Sequence, residues 1–451
     1  MSRPPTPPSE MPRFEDSRFK PMWTPCESVD SYRPGGFHPV HLGDVLHDRY
    51  RVIRKLGYGS SATVWLALDS VSSNYVALKI HAANVDISNE LKIHQHLADS
   101  ASQDSNSEFV LLMSDTFTIY GPNGKHHCFV TNPMGPSVSA VLNAPHEYYD
   151  PLNPPTHRFP TPQNKTVLRN ILSGLDFLHR NGIVHGDLQC GNLLFSFQSL
   201  TGIDSIKLQQ NEENSQLDPV MRVDGKMDLW APRYLAVPEP LAQGAVPYEQ
   251  QIPNSRQVIK LADLGGAFWI SKPPASIVTP VALRAPEIIL YSQGSPASDI
   301  WSFGCLMYAL LTDSPLFQVF DFGRQADVID DEHLIALSEV LGSLPVDMRA
   351  KWPRYTTYFG PGGERLDARP EDFDESEMGQ RLRAIALKLP QSHEPRTASP
   401  PLQDEFFRLK PNDVDEMEGN EIVALLKEIL HFDPQARPSA ATLLTHSWFS
   451  T

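Results

Sequence analysis

Several short stretches of this 451-residue chain set polar side chains against apolar surroundings in ways that suggest chemistry. Leu56-Gly57-Tyr58-Gly59-Ser60-Ser61-Ala62-Thr63-Val64 places two glycines between strand-like flanks. With no Cβ in the way, such a hairpin can lay backbone N–H groups against phosphate oxygens, although Gly-x-Gly hairpins also arise for structural reasons alone. Val76-Ala77-Leu78-Lys79 ends an apolar strand on a lysine, which either is solvated or points inward to meet an anion. Glu90, on the helix expected next, is the natural carboxylate to hold that ammonium. Ile183-Val184-His185-Gly186-Asp187-Leu188-Gln189-Cys190-Gly191-Asn192-Leu193-Leu194-Phe195 sets a polar loop between two apolar strands. Within it Asp187 and Asn192 can present a base and a metal ligand to one point. Ile259-Lys260-Leu261-Ala262-Asp263-Leu264-Gly265 repeats the device, with a carboxylate at a strand end and a glycine to turn on. Each of these alone could be a turn or a cap, where Asp and Asn are favoured anyway. All of them in this order are not expected by chance.

The elements that must position these residues are visible as patterns. Tyr50 to Asp69 and Tyr75 to Ile80 alternate β-branched and aromatic residues, which predicts a small antiparallel sheet. Asp86 to Leu97 predicts a helix, with Asp86 or Ser88 as N-cap and Ile87, Leu91 and His94 on one face. Leu168, Ile171, Leu172, Leu175 and Leu178 recur at helical spacing until Asn181-Gly182 stops them. Beyond Ser298 the signals are mostly helical, ending with Ile422 to Leu430 and Ala440 to Trp448. A chain of this length exceeds one hydrophobic core, which stops growing near roughly 250–300 residues, so at least two packed units are expected.

Prolines, 41 in all, are clumped. Those near the start predict a disordered tail over 1–30, with Thr6-Pro7 a weak phosphorylation candidate. Pro145, Pro151, Pro154, Pro155, Pro160 and Pro162 predict an extended connection. Pro219 to Pro253, after a Gln/Asn/Glu-rich stretch, predict an inserted loop spanning about 198–256. Charge sums to 38 − 54 = −16, unsuited to direct nucleic-acid binding and compatible with either mere solubility or a basic partner. The longest apolar run, Trp301 to Leu311, is about half the ~20 residues of a membrane span, so no membrane association is expected. The start of the chain has no apolar signal region. Cys26, Cys128, Cys190 and Cys305 show neither metal-ligand spacing nor a disulfide framework, which suits a reducing cytoplasm or nucleus.

Taken together, these motifs resemble the eukaryotic protein kinases: glycine-rich loop, strand lysine, helix glutamate, His-x-Asp loop with Asn, and Asp-x-Gly. The likeness continues with Ala285-Pro286-Glu287, with Asp299-Ile300-Trp301-Ser302-Phe303-Gly304, and with Arg437 in Asp433-Pro434-Gln435-Ala436-Arg437-Pro438, and it covers about 47–449. Tyr32-Arg33-Pro34-Gly35-Gly36-Phe37-His38-Pro39-Val40, Gly43-Asp44, Arg49-Tyr50, Thr63-Val64-Trp65-Leu66, Asp263-Leu264-Gly265 and Asp330-Asp331-Glu332-His333-Leu334 are similar to the SR-protein kinase branch. The long break between the catalytic loop and Asp263 suits the same branch. The resemblance implies an α+β, bilobal fold with a small β-rich N-lobe over 31–134 and a larger, mainly α-helical C-lobe over 135–451, carrying a second, acidic insert at about 352–418. It implies ATP and Mg²⁺ in the cleft between lobes, lined by Leu56, Gly57, Gly59, Ala62, Val64 and Ala77. Lys79 would hold the α/β-phosphates and pair with Glu90, Asp263 and Asn192 would hold Mg²⁺, and Asp187 would accept the proton of the attacking hydroxyl. Glu287 and Arg437 would form a buried ion pair.

Departures from the family pattern carry their own expectations. Gly186 stands where an arginine usually precedes the catalytic aspartate, which predicts activity independent of activation-loop phosphorylation. Gln189 replaces a lysine near the γ-phosphate, which predicts slower transfer. Pro280 falls where a threonine usually braces the aspartate, with Thr279 one position early. Ala62 at the third glycine position is a mild change. Cys190 is expected to be a structural thiol rather than a redox switch. His185-Gly186-Asp187 is also similar to small-molecule phosphotransferases, but those lack the Ala-Pro-Glu and Arg437 elements. The substrate expected is Ser or Thr of a basic, Arg/Ser-rich protein, docked on the acidic stretch 361–420 and on Asp330-Asp331-Glu332, by a kinase acting as a monomer. A solvated acidic insert, and a catalytically weak kinase-like scaffold, are the competing readings.

Overall fold

A computed structural model describes residues 6–143, 158–196, 200, 202–210, 215–241, 258–319, 325–366 and 401–450. The prolines at 145–155, the end of the first expected insert (242–256) and the middle of the second (367–400) lie outside the described residues. The strands are β1 Val45–Leu46, β2 Tyr50–Tyr58, β3 Ala62–Asp69, β4 Tyr75–His81, β5 Met113–Gly121, β6 Gly124–Thr131, β7 Met134–Ser137, β8 Ile183–Val184, β9 Leu193–Ser196, β10 Leu217–Pro219, β11 Tyr234–Ala236, β12 Ile259–Leu261 and β13 Phe268–Trp269. The helices used below are α1 Ser88–Ala101, α2 Val138–Leu142, α3 Thr161–Arg180, α4 Ser205–Leu208, α5 Pro286–Tyr291, α6 Pro296–Thr312 and α7 Ala326–Leu341.

Contacts divide the chain into two compact units that interleave in sequence, rather than breaking once at 134/135. The first takes residues 1–147, 169–181 and 190–267; the second takes 148–168, 182–189 and 268–451. Strand pairing explains the interleaving: β9 pairs with both β7 and β12 in the first unit, whereas β8, a few residues earlier, pairs with β13 in the second.

The first unit is built on an antiparallel sheet in the order β1-β2-β3-β4-β6-β5. One face buries Val52, Trp65, Ala67, Leu78, Ile80, Cys128 and Val130, the period-two alternation expected of a half-buried sheet. Helix α1 buries Ile93, His94 and Leu97 on a single stripe. In the second unit α6 is apolar nearly all round and almost every residue from Ser298 to Thr312 is buried, so the longest apolar run is a core helix. Pro296 occupies its first turn, and Ser295 and Ser298 close a capping box across it. Among the described residues no helix is long and apolar enough to cross a membrane.

The composition of 1–30 predicts disorder, and over 6–30 the structure departs from it. Phe19, Val29 and Tyr32 are buried together with Leu235, and Arg18 pairs with Asp30 (3.4 Å) and Asp228 (3.1 Å). The tail lacks periodicity because its apolar residues dock one by one onto another segment instead of forming an element of their own. Likewise, part of the expected insert is packed: α4, β10 and β11 lie against β1 and β2 residues, with Ala236 in the sheet's core cluster.

Candidate active site

In the first unit β4 gives Ala77, Lys79 and His81 one face, since alternate strand residues point the same way. Lys79 Nζ lies 3.0 Å from Glu90 Oε1 and 2.8 Å from Asp263 Oδ1. Glu90 sits in the first turn of α1, where the helix dipole favours a carboxylate. Its second oxygen lies 3.5 Å from His81 Nε2, and the other ring nitrogen of His81 is 3.2 Å from the His127 carbonyl. Burial alone would raise the pKa of Glu90, but His81 and Lys79 outweigh it and hold the carboxyl at about 2. Burial would lower that of Lys79, yet Glu90 and Asp263 raise it above the ordinary lysine value. Asp263 keeps about half of its side chain (48%) open to solvent; the desolvation it does suffer would raise its pKa, and Lys79 instead holds it below the usual carboxylate range. All three groups are therefore charged at neutral pH.

Asp263 has a left-handed backbone (φ +62°) directly after β12, and its Oδ1 accepts the Gly265 N–H at 3.3 Å. That conformation is uncommon for a residue with a Cβ and recurs at functional sites. Asn89 Nδ2 donates to the Ala267 carbonyl (2.9 Å), tying α1 to the segment after Asp263. The Ala262 N–H donates to the Asn192 carbonyl (2.9 Å), so the backbones next to the two expected metal ligands are joined. Both ligands are hard oxygen donors, one a carboxylate held ionised, which fits Mg²⁺. Among the described residues no group of three or more His, Cys, Asp or Glu is placed to hold a metal. In the β2–β3 hairpin a Cβ added to Gly57 or Gly59 would meet no protein atom within 4 Å, so packing does not demand their bareness. Ala62 and Ala77 are buried, while Leu56 and Val64 are half-buried.

The second unit organises Asp187. Asp299, in the first turn of α6, accepts the His185 N–H (2.8 Å) and the Gly186 N–H (2.9 Å) on its two oxygens. Gly186 has φ +72°, a conformation that costs a residue with a side chain about 1–2 kcal/mol. Its carbonyl accepts the Thr279 hydroxyl at 2.6 Å. Thr279, fully enclosed, thus braces the backbone just before Asp187 from one position earlier than Pro280. Gln189 Nε2 donates to Asp187 Oδ1 at 2.9 Å, so Gln189 holds the carboxylate. Arg437 makes a bidentate pair with Glu287 (2.7 and 2.8 Å), and its guanidinium stacks 4.8 Å from the Trp301 ring centre. Burial pushes the Cys190 thiol up to about 11, in keeping with an unreactive thiol.

The acidic docking residues need correction. Asp331 is buried and accepts from Trp352 Nε1 (2.7 Å), Arg354 Nε (2.5 Å) and the Tyr358 hydroxyl (2.9 Å). Asp330 pairs with Arg284 at 3.2 Å, and Asp327 with Arg354. An Asp-Asp-Glu run looks like a solvated acidic face in sequence, but helix geometry turns its members in different directions and two of them meet the chain's own arginines. Sequence reasoning also missed His81 and the roles of Asp299 and Gln189. For His81 the signal was present: it lies two residues beyond Lys79 on the same face of the same strand.

Comparisons with known proteins give the family. The family profile described as "Protein kinase domain" matches residues 50–212 and 251–449. The serine/threonine-protein kinase SRPK of Physarum polycephalum is 28% identical over 442 residues, covering 94% of this chain and 91% of its own length. Protein kinase dsk1 of Schizosaccharomyces pombe is 26% identical (75% and 74% covered), and human SRSF protein kinase 3 is 34% identical over a shorter stretch (37% and 29%). A crystallised kinase domain shares the fold, with a TM-score of 0.58 at 23% identity, covering 92% of this chain and 98% of its own.

Proposed function

Since this chain belongs to the protein kinase family and is an SR-protein-kinase-like serine/threonine kinase, we propose that it transfers the γ-phosphoryl group of ATP to Ser or Thr of basic, Arg/Ser-rich proteins. The observation that carries turnover, rather than mere scaffolding, is the assembled Lys79–Glu90–Asp263 triad together with an Asp187 held by Gln189. Lys79 binds the α/β-phosphates, and Glu90, whose other oxygen lies 3.5 Å from His81 Nε2, fixes the ammonium. Asp263 and Asn192 would hold Mg²⁺, which would supply neutralising charge to the transferring group. Asp187 orients the substrate hydroxyl and takes its proton at a carboxylate oxygen, while Gln189 and the backbone held by Asp299 and Thr279 fix where that oxygen points. The transition state is loose, so such positioning supplies most of the catalysis.

The basic substrate class is supported by the net charge of −16 and by the kinship with kinases whose names carry SRPK or SRSF. Because Asp330 and Asp331 are engaged internally, docking falls to other carboxylates, and several must act together since one exposed pair contributes only about 0.2–1 kcal/mol. Asp187→Ala is expected to abolish radiolabel transfer to an Arg/Ser-repeat peptide while ATP still binds, and acidic peptides should be poor acceptors. Equal background label with wild type and variant would instead favour a scaffold.

A further inference from the structure

Lys55 lies on β2 just before Leu56 and Gly57, and its side chain is only 1% exposed. A buried ammonium is tolerated when it is paired and hydrogen-bonded. Its partner comes from the N-terminal arm: Glu27 Oε2 is 2.5 Å from Lys55 Nζ, and the Tyr32 hydroxyl donates to Glu27 Oε1 at 2.5 Å. The ammonium also faces the rings of Trp65 (5.5 Å) and Tyr58 (5.7 Å). The backbone here is held by a different segment. Lys55 N donates to Gln210 Oε1 (2.9 Å), Lys55 O accepts from Glu239 N (2.9 Å), and Gln210 N donates to the Ile53 carbonyl (2.9 Å). Arm and segment in turn hold each other, through Lys20 N to the Met221 carbonyl (2.9 Å) and through Arg18 to Asp228.

The placement matters because of the register. Lys55 faces Trp65 across the β2–β3 ladder, and the next pair is Gly57 with Val64, so Leu56 is a bulge residue. Whatever fixes Lys55 fixes the bulge, and with it the stance of Gly57 and Gly59. Both Glu27 and Glu239 lie outside the stretches that match the kinase domain.

We propose that Glu27, Tyr32 and Lys55 are positioning residues for nucleotide binding, by which an arm outside the kinase domain holds the glycine-rich loop in register. This rests on the kinase reading above. The test measures KM for ATP, kcat at saturating ATP, KM for peptide, and the Kd of a fluorescent ATP analogue, all well below Tm. Glu27→Gln is expected to raise KM and Kd for nucleotide about tenfold, with kcat and peptide KM within about twofold. Tyr32→Phe, which removes a single hydrogen bond, should move nucleotide KM and Kd the same way by less, and it decides the matter if Glu27→Gln does not fold. A merely structural pair would lower Tm and leave nucleotide affinity unchanged; that result, in a variant with wild-type circular dichroism, overturns the proposal. A wild-type protein that neither binds ATP nor transfers phosphate would instead overturn the kinase reading.

Discussion

At the residue scale, Lys79 is held by carboxylates on two different segments, and one of these carboxylates has His81 Nε2 on its far side at 3.5 Å. Lys79→Met removes the positive charge from this set, and kcat/KM should fall by about 10²-fold or more with the fold retained, as circular dichroism would verify. His81→Gln leaves Lys79 and Glu90 in place but loosens Glu90 on its far side. A several-fold rise in KM for ATP, with peptide KM unchanged, is the expected outcome in steady-state kinetics. Gln189 was expected to slow transfer because it brings no charge, and the structure adds that it tethers Asp187. Gln189→Ala should therefore lower kcat without changing the affinity for ATP.

Between elements, the loop carrying Asp187 is fastened to α6 by Asp299 and to the segment before α5 by Thr279. Gly186, in a left-handed backbone, donates its N–H to Asp299 and accepts from Thr279 at its carbonyl. Gly186→Arg, which restores the usual family residue, should cost about 1–2 kcal/mol in denaturant unfolding and bring no gain in activity. Phosphatase treatment of the wild type should correspondingly leave kcat unchanged. Arg437→Leu strands a buried Glu287 carboxylate and should cost about 3–5 kcal/mol. A shift in denaturant midpoint well short of that would argue that water reaches the pair.

Over the whole molecule, burial fixes the acid limit of stability. Burial lowers the pKa of His38 and His94 to about 4 and that of His333 to about 3, whereas unfolded rings take up protons near 6.5. Between those values the unfolded state binds more protons, so stability is whole above pH 6.5 and is lost as pH falls toward 4. Each such ring steepens the loss by about 1.4 kcal/mol per pH unit. Glu90, at about 2 when folded and near 4.3 when unfolded, extends the loss to lower pH. Tm should thus hold at neutral pH and decline steadily below 6.5, and His333→Asn should flatten that decline. A Tm independent of pH between 4 and 7 would contradict the assigned burial of these rings.

Much of the first unit was legible beforehand because its residues are locally determined. Strand alternation and the glycines of the β2–β3 hairpin declare themselves within a few residues, and motif order pointed to Lys79, Glu90, Asn192 and Asp263 there and to Asp187 in the second unit; the N-cap of α1 falls on Ile87 rather than on Asp86 or Ser88. The packing of the N-terminal arm, the internal capture of Asp331, the bracing by Thr279 and the burial of Lys55 were not legible. Each depends on a partner more than twenty residues away or on a docking surface that forms only when the chain is folded. Composition and periodicity report what a segment would do alone. Which charge meets which is decided by the fold, since a buried ion tolerates almost no misplacement and the sequence spacing of its partner is unconstrained.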